Sequence, residues 1–128
     1  MNNIETNTLI KILIIEDNEV TSLLLKGGIS RILPESEIYT AFNLTEAIEM
    51  LKNDYSVITL DGKIPNNEDG IKILEIMSAE QKNKVIVCST DEKMIEKAKN
   101  ENIIIASKKP PSPEELERLI FKILNKGD

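Results

Sequence analysis

Four short apolar runs in this chain each deliver side chains able to do chemistry. Lys11-Ile-Leu-Ile-Ile15 is followed by Glu16 and Asp17, and Val57-Ile-Thr-Leu60 by Asp61. Val85-Ile-Val-Cys88 is followed by Ser89 and Thr90, and Ile103-Ile-Ile-Ala106 by Ser107, Lys108 and Lys109. Three carboxylates gathered in a partly dry crevice repel one another and need a cation. Oxygen donors without thiolate or imidazole suit Mg²⁺ rather than zinc. A lysine and a hydroxyl beside that cation could hold an anion. Carboxylate, cation, lysine and hydroxyl are the parts of a phosphoryl-transfer site, with an aspartate as candidate nucleophile.

Each residue alone has a plainer role. Asp17 or Asn18 could cap the next helix, Asp61 could form a turn with Gly62, and Lys109 beside Lys108 could be solvated charge. Their arrival at successive strand ends outweighs those readings, because open parallel sheets bind ligands outside the carboxyl ends of their strands.

The elements that must position these residues follow from the pattern. Continuous apolar runs rich in β-branched residues fit strands covered on both faces. Strands are predicted over 11–15, 37–41, 57–60, 85–88 and 103–106. Between them lie helical stretches over 20–33, 43–52, 70–79 and 93–101, with a last helix from Ser112 to a stop at Gly127. Gly27-Gly28 weakens the first helix by up to about 1 kcal/mol per glycine, and Pro34 closes it. Asn43 to Glu46 has capping-box spacing, and Ser112-Pro-Glu-Glu115 supplies a cap, a first-turn proline and a glutamate three residues on. Residues 1–9 read as a flexible leader and 10–126 as one folded domain. Strand and helix in alternation give an α/β fold: a doubly wound, five-stranded parallel sheet with about five helices.

Composition removes other functions. The chain has 128 residues, the size of one domain, with 3% aromatic residues and no Trp. That disfavours stacking platforms for single-stranded nucleic acid. Acidic residues outnumber basic ones 22 to 16, for a net charge of -6, which disfavours binding through phosphate neutralisation. No His and one Cys exclude histidine general bases, intramolecular disulfides and ordinary zinc sites. The run from Leu9 to Ile15 is short and broken by Lys11, so neither a signal peptide nor a membrane span is expected. The expectation is a cytoplasmic domain with no membrane or nucleic-acid partner.

The set Lys-Ile-Leu-Ile-Ile-Glu-Asp-Asn (11–18), Val-Ile-Thr-Leu-Asp (57–61) with Pro65, Val-Ile-Val-Cys-Ser-Thr (85–90) and Lys109-Pro110 before Ser112-Pro-Glu-Glu-Leu116 resembles the receiver domain of bacterial two-component response regulators. The resemblance covers the chain after the leader. It implies a flavodoxin-like fold with strand order 2-1-3-4-5, Asp61 as phosphoacceptor, and Glu16 and Asp17 as the acidic pair holding Mg²⁺. It further implies the Lys63 backbone carbonyl as a metal ligand, Ser89 (Thr90 as second choice) as the mobile hydroxyl, Lys109 as the ion-pair partner, and a cis peptide before Pro110. The partners implied are a sensor histidine kinase or histidine phosphotransfer protein, and an unidentified downstream target. The role is a signalling phosphoacceptor rather than a turnover enzyme. Ending at Asp128, the chain leaves no room for an output domain, so output is expected through protein contact.

Departures from that family pattern are local. Ala106 stands where an aromatic residue usually completes the switch, the loop after Asp61 is one residue longer than the commonest form, and Asp91 adds a fourth acid near the site. The nearest rival is a degenerate receiver-like module that binds or dimerises without being phosphorylated. A flavin-binding domain of the flavodoxin type would need a phosphate loop where Glu16-Asp17 stands. A phosphatase of the haloacid dehalogenase type would need an aspartate where Lys63 stands.

Overall fold

The computed structural model describes residues 9–66 and 68–125. The leader (apart from Leu9), the Gly127 stop and the boundary at residue 126 lie outside the described residues. Strands β1 (Lys11–Ile15), β2 (Glu37–Ala41), β3 (Val57–Leu60), β4 (Val85–Val87) and β5 (Ile104–Ile105) form one parallel sheet in the order β2-β1-β3-β4-β5. Helices α1 (Glu19–Ile32), α2 (Leu44–Met50), α3 (Asp69–Ile76), α4 (Ala79–Lys82), α5 (Glu92–Asn100) and α6 (Pro113–Leu124) connect and cover it.

The continuous apolar runs arise because both sheet faces are covered. Successive strand side chains point to opposite faces. On one face Leu13, Ile15, Ile58, Leu60, Val85 and Val87 pack with Ile73 and Leu74 of α3 and with Met94 and Ala98 of α5. On the other, Ile12, Ile14, Val57 and Ile86 pack with Leu25 and Ile29 of α1 and with Leu116, Leu119 and Ile120 of α6. Each fully buried Ile or Leu contributes about 1.5–3 kcal/mol, so the aliphatic strands carry most of the core, joined by buried Tyr55. The Gly27-Gly28 pair does not interrupt α1. A Cβ at Gly28 would lie 3.1 Å from Leu116 Cδ2, so close approach to α6 accounts for that glycine.

The stretch predicted as one helix over 70–79 divides. Met77 is extended (φ -74°, ψ 145°), and Ser78 and Gln81 form a reciprocal capping box that starts α4. Gln81 Nε2 also donates to the Leu51 carbonyl at 2.9 Å. Strand β5 keeps only two of the four residues predicted. The capping glutamates also act differently from the simple box. Glu46 accepts from the Phe42 N–H at 2.7 Å and Glu115 from the Ser107 N–H at 2.9 Å, while Asn43 and Ser112 cap α2 and α6. No helix among the described residues is long and apolar enough to cross a membrane.

Candidate functional site

Register brings the strand ends together. Ile15 lies opposite Leu60, and Leu60 opposite Val87. Backbone pairing continues one residue further: the Asp61 N–H donates to the Ile15 carbonyl at 3.0 Å, and the Cys88 N–H to the Leu60 carbonyl at 2.8 Å. The Glu16 N–H donates to the Ala41 carbonyl at 3.0 Å. The residues just past the apolar runs are thus held by the sheet itself.

There the structure gathers Glu16, Asp17 and Asp61, with a carboxylate oxygen of each within 4.8 Å of the others. Glu16 and Asp61 are buried and Asp17 is half-buried. Lys109 reaches across from the β5–α6 loop, where its Nζ donates to Asp61 Oδ1 at 2.8 Å. Burial alone would lower the Lys109 pKa, but the bond to Asp61 and the charges of Asp61, Glu16 and Asp17 leave it raised. The peptide before Pro110 is cis, as is the one before Pro65.

One lysine does not neutralise three acids. The imbalance falls on Glu16, whose pKa is raised to about 7, first by burial and then by the Asp61 charge, against a lowering bond from the Asn18 N–H. Asp61 Oδ2 is buried without a hydrogen-bond partner among the described residues. A buried, unmatched carboxylate oxygen in an all-oxygen cluster is what a small hard cation satisfies. The residues present therefore fit Mg²⁺.

This arrangement sets a pH dependence. The folded Glu16 holds its proton up to about pH 7, whereas a free glutamate loses it near 4.5. In that window the folded state binds more protons than the unfolded one, so stability falls as pH rises. Without divalent cation, the melting temperature should drop between about pH 5 and pH 8, apart from any contribution of other groups. Saturating Mg²⁺, or Glu16→Gln, should flatten the drop. Thermal melts across that range check it, and an equally steep drop in Glu16→Gln would refute the assignment to this residue.

The hydroxyl candidates separate. Ser89 is buried and its Oγ accepts from the Asp91 N–H at 3.0 Å, whereas Thr90 is exposed. A Cβ added at Gly62 would fall 2.6 Å from Ser89 Oγ, so this hydroxyl lies against the backbone next to Asp61. Lys63 has an exposed side chain. Asp91 is not a fourth member of the acidic group: its carboxylate caps α5, accepting from the Met94 N–H at 2.9 Å. Ala106 is buried in the same apolar cluster as Ile86, Cys88 and Leu116. Cys88, directly behind the carboxylates, is buried, and its thiol is pushed up to about 12 by desolvation and then by the Glu16 and Asp61 charges.

Two residues at the site escaped the sequence reading. Gly70 donates its N–H to the Gly62 carbonyl at 3.0 Å, and Asp69 is buried with its carboxylate on the Asn66 N–H. Asp69 read as the end of a loop and Gly70 as the start of a helix; the Asp-Gly pair at that helix start was the available signal.

Known proteins resemble the chain over most of its length. Residues 12–121 match the family described as the response regulator receiver domain. No curated protein matches the chain. Similar solved structures include the signal receiver domain of a DNA-binding response regulator from Colwellia psychrerythraea 34H, at 22% identity and a TM-score of 0.77, covering 91% of this chain and 99% of that one. A two-component response regulator from Cytophaga hutchinsonii is 24% identical with a TM-score of 0.73, covering 94% of this chain and 100% of that one. A signal receiver domain from Clostridium thermocellum is 19% identical with a TM-score of 0.76, covering 89% of this chain and 96% of that one. These likenesses establish the shared fold.

Proposed function

The chain belongs to the response regulator receiver domain family, a module of two-component signalling, and on that footing we propose that it accepts a phosphoryl group on Asp61. The observation that carries the reading is the buried Asp61 carboxylate, with Lys109 on one oxygen and, among the described residues, no partner on the other. An Asp61 oxygen attacks phosphorus, the P–N bond to a donor phosphohistidine breaks, and the electron pair returns to the imidazole. The product is an acyl phosphate that water later cleaves. Lys109 would transfer its hydrogen bond from the carboxylate to the phosphoryl oxygens. Ser89, already against Gly62, is the hydroxyl nearest to follow it, with exposed Thr90 the second choice.

Glu16, Asp17, Asp61 and the Lys63 carbonyl would hold Mg²⁺, which supplies charge neutralisation for the incoming phosphoryl group. The donor we propose is a sensor histidine kinase or a histidine phosphotransfer protein in the cytoplasm. Supporting this, α1 begins beside Asp17 and turns Val20, Leu23 and Leu24 outward at 66%, 61% and 58% exposure, an apolar face next to the acceptor. Output passes to a protein target by contact, and no catalytic turnover beyond phosphoryl uptake and loss is part of the proposal.

The rival is a receiver that is never phosphorylated, and the observation favouring it is the small side chain at buried Ala106. Incubation with a small acyl-phosphate donor separates the two. One phosphoryl equivalent per chain, formed only with Mg²⁺, is the expected result. No incorporation from either the small donor or a phosphorylated histidine protein would leave the rival standing.

A further inference from the structure

Outside the acidic cluster the described residues contain another almost fully buried carboxylate, Asp69, at 2% exposure. It is not among the residues that could share a metal. Its own position does not require it as a cap for α3, because Glu68 holds that place and makes no side-chain capping bond. Asp69 Oδ2 instead accepts from the Asn66 N–H at 3.1 Å. The Asn66 carbonyl in turn accepts from the Asp69 N–H at 3.1 Å and from the Ile64 N–H at 3.4 Å.

The last of these bonds fixes the peptide that carries the Lys63 carbonyl, proposed above as a metal ligand. The Ile64 N–H and the Lys63 carbonyl belong to one planar, trans peptide unit, so they point in opposite directions. Holding the Ile64 N–H on Asn66 therefore turns the Lys63 carbonyl to the side away from Asn66. Ile64 is fully buried, which prevents that peptide from rotating as a free loop would. From this chain of bonds we infer that Asp69 is a positioning residue: through Asn66 it orients the Lys63 carbonyl for the cation. The inference rests on the metal reading given under Proposed function and adds to it a carboxylate that never touches the ion.

Calorimetric Mg²⁺ titration of the full chain tests it, at a temperature well below each variant's melting midpoint. Asp69→Ala should weaken Mg²⁺ binding by about tenfold or more, the usual loss when a group that orients a ligand is removed. Asp69→Asn keeps an oxygen that can accept from Asn66 and should stay within about threefold of the unmodified chain, short of that loss. Asp69→Glu keeps the charge but moves the acceptor, so it should weaken binding as Asp69→Ala does. The Ile64 amide resonance should shift on Mg²⁺ addition in the unmodified chain and in Asp69→Asn.

Unchanged affinity in Asp69→Ala overturns the inference, and so does equal weakening in Asp69→Asn and Asp69→Ala, which would assign the effect to net charge. If Asp69→Ala does not fold, the Asn and Glu variants decide it: Glu weaker than Asn supports the role, and equality overturns it. Failure of the unmodified chain to bind Mg²⁺ overturns the metal reading and this role together. Binding that ignores every Asp69 change overturns this role alone.

Discussion

Asp61→Asn should abolish phosphoryl uptake while leaving the chain folded. The amide has nearly the shape of the carboxylate, and its oxygen can still accept the Lys109 hydrogen bond now made at 2.8 Å. It is no nucleophile toward phosphorus, so the loss should be complete rather than graded. The substitution also removes the charge that, after burial, does most to raise the Glu16 pKa. The variant should therefore melt at or above the temperature of the unmodified chain in metal-free buffer near neutral pH. Lys109→Ala acts in the opposite sense. It leaves Asp61, 2% exposed, without its counter-charge, and stranding a buried charge costs up to about 3–5 kcal/mol, less here because the Lys109 side chain is 27% exposed. Intact-mass measurement of phosphoryl incorporation and thermal melts check both variants. Incorporation that persists in Asp61→Asn would move the acceptor to another residue.

Gly70→Ala should be among the most damaging single-methyl additions in the described chain. A Cβ there would lie 2.6 Å from Gly62 Cα, 2.7 Å from the Asp61 carbonyl oxygen and 2.9 Å from the Gly62 carbonyl oxygen. All three are backbone atoms that cannot swing aside like the end of a side chain. Room can come only from shifting the start of α3 or the segment that carries Asp61. Overpacking of this kind costs about 1–3 kcal/mol, and contact with backbone alone puts it at the upper end. A melting temperature lower by roughly 10 °C follows for a domain of this size. Because the displaced segment carries the acceptor, Mg²⁺ affinity should fall too, unlike in Gly27→Ala, where an added Cβ meets nothing within 4 Å. A Gly70→Ala protein as stable as the unmodified chain would contradict the packing described here.

The strands were the legible part of the fold. Lys11–Ile15 and Val57–Leu60 occupy the predicted residues because a two-sided apolar run has few alternatives. Ends were harder where tertiary contacts decide them. Ile103 and Ala106 read as strand, yet the strand keeps only Ile104 and Ile105, and Ala106 adds one bond, from its N–H to the Val87 carbonyl at 2.9 Å. The Ser78–Gln81 capping box was present in the sequence but lay inside a helical period that Met77 interrupts. At the site, a carboxylate's neighbours rather than its type decide its job. Asp61 at a strand end meets Lys109, whereas Asp91, two residues past Ser89, turns to cap α5. No local pattern distinguishes those fates. Asp69 was illegible for the same reason: its partner is a backbone N–H in a loop whose path only the folded chain defines.

The burial of Cys88 has a practical consequence. A thiol pushed up to about 12 is almost wholly protonated at neutral pH, and only the thiolate attacks disulfides, maleimides or peroxide at useful rates. With 2% exposure it is also out of reach of such reagents while the chain stays folded. The chain is thus chemically silent toward sulfur-directed labels despite its single cysteine. A second cysteine placed on the exposed side of α1 or α5 could carry a fluorophore or spin probe with the native thiol left in place. Conversely, labelling at Cys88 itself becomes a measure of opening: its rate counts the moments when β4 and the carboxylates in front of it come apart.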